Sequence, residues 1–119
     1  MRRAALISVF SVLAGGLPAA ARDLPAARPE MLATVQKYVQ HACAPQTAAA
    51  LDAVGFEPAQ IAGVSYFVNS TSADVGRSVG VDAYVKIQGQ SGSVVIQHRQ
   101  GCSVGGAYAS GNVRLPRRL

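Results

Sequence analysis

The stretch Val79-Gly80-Val81-Asp82-Ala83-Tyr84-Val85-Lys86-Ile87 decides the fold. Val79, Val81, Ala83, Val85 and Ile87 fall on every second position, with Gly80, Asp82, Tyr84 and Lys86 between them. A period of two is that of a strand with one apolar and one wet face. Downstream, Gln88-Gly89-Gln90-Ser91-Gly92 has turn chemistry, and Ser93 to Arg99 predicts a strand with Val94 and Ile96 inward. Gln100-Gly101 turns the chain again. A weaker strand runs from Cys102 to about Ser110, where Gly105-Gly106 marks a bulge or a close backbone approach. Upstream, Val64, Tyr66 and Val68 alternate with Ser65, Phe67 and Asn69 as a further strand, and the polar loop Ser70 to Ser78 follows it.

Before Gly63 the period is helical. Pro29 suits the first helical position, and Glu30 complements the positive end of a helix. Met31, Leu32, Val35, Tyr38, Val39 and Ala42 form an apolar stripe, which Pro45 stops. A second, alanine-rich helix is expected over Gln46 to Val54 with Gly55 as its cap, and Glu57-Pro58 opens one more turn. The predicted class is α+β: an N-terminal helical layer packed on one face of a three- to four-stranded antiparallel meander sheet, stapled by one disulfide.

The chain has 119 residues, which allows one domain. Residues 1–21, MRRAALISVFSVLAGGLPAAA, have the three parts of a cleavable export signal. Arg2 and Arg3 form the basic end, Ala4 to Leu17 the uncharged stretch, and Ala19-Ala20-Ala21 the small residues of a cleavage site. The apolar stretch is shorter than the roughly 20 residues of a spanning helix, so no transmembrane segment is expected after cleavage. The expected organisation is a signal at 1–21, a single domain at 22–113 and a basic tail at 114–119, in a periplasmic or secreted protein. The formal charge of +5 then changes meaning. Arg2 and Arg3 leave with the signal, and Arg114, Arg117 and Arg118 sit in the tail. What lies between carries six basic and six acidic side chains and is formally neutral. That removes most of the case for a nucleic-acid partner, and the tail has no aromatic stacking platform. Its alternatives are a solvated terminus or weak contact with an anionic surface through Arg114, Arg117 and Arg118.

In an oxidising compartment the pair Cys43 and Cys102 is expected as a disulfide. His41-x-Cys43 and His98-x-x-x-Cys102 do not make a zinc pattern, because no Cys-x-x-Cys is present. No metal or other cofactor is expected. His98 shares strand parity with Val94 and Ile96 and is read as a half-buried sheet residue. His41 is read as complementing a helix C-terminus. No Gly-x-Ser-x-Gly elbow or phosphate-cradling loop occurs, and no catalytic residue is assigned. Asp82 is the one carboxylate in a clear strand, beside Tyr84 and Lys86. With Gln97 and Arg99 these form the candidate binding surface, on the wet face of the sheet. Asn69-Ser70-Thr71 matches a glycosylation acceptor.

Gly80-Val81-Asp82-Ala83-Tyr84-Val85-Lys86, Gly92-Ser93-Val94-Val95-Ile96, Gly101-Cys102-Ser103-Val104 and Tyr108 together resemble a pattern in small exported bacterial proteins of uncharacterised function. The likeness covers the last third of the chain. Those proteins often carry further cysteines near positions 90 and 112, where this chain has Gln90 and Asn112. The resemblance implies export and an α+β layer fold, and no activity. The expected function is a non-catalytic binding or accessory module of the cell envelope, its partner an envelope component or protein. The alternative is a small periplasmic hydrolase or a redox or metal protein using His98 with Cys102 or a nearby carboxylate.

Overall fold

The alternation around Asp82 becomes a sheet in the computed structural model, which describes residues 24–69 and 80–119. The export signal, the loop Ser70 to Ser78 and all but the first residue of the Asn69 acceptor motif lie outside the described residues. Strands β1 (Ile61–Asn69), β2 (Gly80–Ile87), β3 (Gly92–His98) and β4 (Val104–Gly111) pair antiparallel in the order β1-β2-β3-β4. Ala83, Val85, Ile87, Val94 and Ile96 are buried on one face. Helices α1 (Pro29–Tyr38) and α2 (Ala44–Val54) supply Met31, Val35, Leu51 and Val54 to the same core. The helical layer precedes the strands in the chain and covers one face of an open meander.

α2 lies close to the sheet because its inner side chains are small. Ala44, Ala48, Ala49 and Ala50 are buried along it, with Thr47 the single buried polar residue. Gly55 ends it in the left-handed region at φ +98°, where glycine carries no Cβ penalty. The two helices are divided differently from the expectation. α1 stops at Tyr38 because Val39 turns to extended backbone, and Pro45 lies in the first turn of α2 rather than ending a helix. Proline's missing N–H is no loss in a first turn, whose N–H groups have no intrahelical acceptor.

Where β3 begins and β4 ends, the two strands approach closely through two glycines. Gly92 and Gly111 are register partners with φ +107° and +78°. A Cβ on Gly92 would overlap the Ser110 carbonyl oxygen, and one on Gly111 would lie 2.8 Å from the Cα of Gly92. At the opposite end of β3 the register shifts after Gln97, leaving Gly105 unpaired between Gly106 and Val104. A Cβ there would lie 3.1 Å from Arg99 Nε, so the close approach expected at Gly105-Gly106 makes room for Arg99.

The disulfide joins Cys43, the residue before α2, to Cys102, with Cα atoms 5.1 Å apart. Cys102 ends a short 3-10 turn, Gln100–Cys102, so β4 begins two residues later than the sequence predicts. The bond closes a span of 59 residues and ties the helical layer to the far end of the sheet.

Arg28, just before α1, and the C-terminal segment are both fastened to the C-terminal end of α2. Arg28 donates through its backbone N–H to Asp52 Oδ2 at 2.7 Å and through Nε and Nη2 to Oδ1 at 2.9 and 2.7 Å. Its Nη1 also reaches Glu57 at 3.1 Å. In the C-terminal segment Val113 is buried, and Leu115 and Leu119 pack on the core. Arg117 donates its backbone N–H to the Val54 carbonyl at 3.1 Å and its Nε to the Ala53 carbonyl at 2.8 Å. Carbonyls at a helix end lack intrahelical donors, and a cation there is favourable. The basic segment is thus docked through Arg117, while Arg114 and Arg118 are exposed.

Candidate functional site

The outward alternation of β2 places Asp82, Tyr84 and Lys86 on the sheet face away from the helices, and strand pairing gathers other residues around them. Asp82 stands between Phe67 of β1 and Gln97 of β3. Tyr84 stands between Ser65 and Val95, and Val95 is paired in turn with Tyr108 of β4. Phe67 meets Tyr84 edge to face, with ring centroids 5.3 Å apart. This geometry sets the positive edge of one ring on the negative face of the other. Asn69 donates its amide to both oxygens of Asp82, at 3.3 and 3.4 Å. Burial and the neighbouring Tyr84 and Asp82 push the Tyr108 hydroxyl up from its ordinary pKa.

Of the five residues singled out in the sequence, Asp82, Tyr84 and Gln97 are brought together. Lys86 is exposed one row further along, opposite Gly63. Arg99 lies just beyond β3 and runs over Gly105. Pattern reading missed Phe67, 57% exposed, and Tyr108, 45% exposed, as members of this face. Their parity could be read from β1 and β4, but their place beside Tyr84 depends on register. Val95 shares this outward parity and is nevertheless fully buried, flanked on its row by the two tyrosines.

A second cluster lies between the helices and the sheet, beside the disulfide. His98 is 2% exposed, deeper than the half-buried position expected for it. Its Nδ1 is 3.0 Å from the Cys102 carbonyl oxygen. A carbonyl only accepts, so Nδ1 carries the proton and Nε2 accepts from Thr47 Oγ1, 2.8 Å away. Tyr66 donates its hydroxyl to the same Thr47 oxygen at 2.8 Å. Burial holds the His98 imidazole below its ordinary pKa, against the opposing pull of the Cys102 carbonyl, and His41 lowers it further. His41 is not at the end of α1, as expected, but in the connection to α2. Its ring stacks on Tyr66 at 3.9 Å, and its Nδ1 accepts the Cys43 N–H at 2.9 Å.

A hydroxyl against an imidazole whose other nitrogen is held by an acceptor has the outline of a nucleophile and its base. Thr47, however, has no exposed surface, so no substrate atom reaches its oxygen in this conformation. Cys102 is bound in the disulfide and offers no thiolate. Among the described residues no group of three or more His, Cys, Asp or Glu side chains could hold a metal ion. A shallow cavity of about 350 Å³ lies between Leu24–Ala26, the first turn of α2 and Ser103, and among the described residues no titratable side chain lines it. No helix among the described residues is long and apolar enough to cross a membrane. The chain matches no family model, no curated protein and no solved structure.

Proposed function

We propose that the protein is an exported, non-catalytic binding module of the cell envelope, and that the open sheet face is its contact surface. The observation that carries this reading is the composition of that face. Phe67, Tyr84 and Tyr108 form its centre, and Asp82, Lys86, Gln97 and Arg99 lie around them. Exposed aromatic side chains inside a polar border are what protein interfaces enrich, because rings bury large areas at small entropic cost. The partner of this reading is therefore a protein. The tripartite signal at residues 1–21 and the disulfide support the compartment. The alternative as a hydrolase or redox protein would use His98 with Cys102 or a nearby carboxylate, but His98 is 2% exposed and Cys102 is held in the disulfide.

Affinity capture from a periplasmic extract tests this. The wild-type exported chain is compared with a Tyr84→Ser/Tyr108→Ser variant whose circular dichroism and melting are unchanged. Proteins held by the wild type and lost from the variant support the open face. Equal retention by both would contradict it.

A further inference from the structure

Both edges of the sheet, β1 and β4, are strands without a charged residue or a proline. An edge strand offers a row of backbone N–H and C=O groups to another strand, and proteins ordinarily guard it with lysine, proline or a covering element. The two edges are not equivalent. Four large apolar side chains stand exposed among the described residues: Tyr38, Phe67, Val68 and Tyr108. Phe67 and Val68 are in β1, and Val68 is 71% exposed on the helix side. Tyr38 stands at the start of the same strand, where its hydroxyl donates to the Ile61 carbonyl at 3.1 Å. That bond and the register shift between Ile61 and Gly63 close the first residues of the edge. Among the described residues the open ladder is Gly63 to Phe67.

We propose that two copies of this chain pair antiparallel through β1 about a two-fold axis at Ser65, joining their sheets into one of eight strands. The register follows from shape and charge. An axis at Ser65 sets Phe67 of each copy opposite Gly63 of the other. A Cβ built on Gly63 meets only the Lys86 stem, at 3.8 and 3.9 Å, so space remains there for the Phe67 ring. The row across the junction then reads Asp82, Phe67, and Gly63 and Lys86 of the second copy, since Phe67 pairs with Asp82 and Gly63 with Lys86 within each chain. Opposite charges flank each ring. Moving the axis to Tyr66 would set Phe67 against Ser65 and put Asp82 and Lys86 in different rows. On the helix side, Val68 comes to the end of the second copy's strand where its Tyr38 stands. A two-fold axis makes each contact twice and closes the assembly at two chains. The proposal does not depend on the open face having a protein partner.

The test combines sedimentation with cysteine trapping of the exported protein. Sedimentation equilibrium across the micromolar range is expected to give a dimer, and Val68→Lys, at an exposed position, to weaken it about tenfold with the circular dichroism of the chain unchanged. Ser65→Cys should form a covalent dimer under mild oxidation, because opposed residues of antiparallel strands have Cα atoms about 5 Å apart. Ser110→Cys, on the exposed end of β4, should stay monomeric under the same oxidation. A wild-type monomer throughout the concentration range, or trapping through Ser110→Cys as fast as through Ser65→Cys, would overturn the proposal. Loss of the open-face partner with the dimer intact would bear on the function alone.

Discussion

Thr47 has one hydroxyl proton and three polar neighbours: His98 Nε2 and the Tyr66 hydroxyl at 2.8 Å, and the Cys43 carbonyl at 3.0 Å. With His98 neutral, the proton goes to Nε2. Thr47→Val keeps the volume and leaves Nε2 and the Tyr66 hydroxyl without their partner. The expected cost is about 1–3 kcal/mol, read as a lower urea midpoint at unchanged slope. A midpoint equal to the wild type would show that the cluster contributes nothing to stability. The same histidine makes stability depend on pH. Its folded pKa is depressed below the ordinary 6.5, so the unfolded chain takes up the proton first on acidification. Its contribution is complete above about pH 6.5 and is lost as the pH falls from there toward the folded value. His98→Gln should flatten the stability profile across that interval, and a slope identical to the wild type would assign it to another group. That His98 faces the core was legible from its parity with Val94 and Ile96. Its partners were not, because Thr47 is 51 positions away and only the folded layers bring them together.

At the scale of elements, the strands follow from alternation, while helix ends and turns depend on backbone contacts that alternation does not encode. β2 was clear because all its inward residues are apolar. β4 was weak because Gly105 and Gly106 leave room for Arg99 and Gln97 rather than filling a core. α1 ends before its apolar stripe does, since the chain must turn at Val39 to carry Cys43 within 5.1 Å of Cys102. Closing a loop of that length is worth on the order of 4 kcal/mol in the chain-entropy model. Reduction should lower unfolding stability by about that amount, measured in urea with and without dithiothreitol. Equal midpoints in the two conditions would mean that the layers hold together without the staple. Gly92→Ala should cost about 2 kcal/mol or more, because its Cβ overlaps the Ser110 carbonyl and its φ is +107°. A variant as stable as the wild type would place the two strand ends in a different geometry.

Across the whole molecule, charge and termini support one picture. The residues between the proposed signal and the tail are formally neutral, and Arg117 is engaged with the end of α2 rather than free for an anionic surface. Leu24 and Ala27 pack on the core and Arg28 is fixed to Asp52, so cleavage at the proposed point after Ala21 would keep these contacts in the mature chain. Intact mass of exported material should therefore start near Arg22, and a retained Met1 would contradict export by cleavage. The open face was half legible: β2 gave Asp82, Tyr84 and Lys86, but Phe67 and Tyr108 joined them only through cross-strand register. That face is the centre of the functional account, and site-specific photo-crosslinking in the envelope tests it most directly. A benzophenone side chain replaces Tyr108 in one protein and exposed Glu30 of α1 in another, each produced as the full 119-residue chain. The account predicts a discrete protein adduct from position 108, lost when Tyr84→Ser is added, and none from position 30. Adducts from position 30 with none from position 108 would place the contact on the helical layer and contradict it.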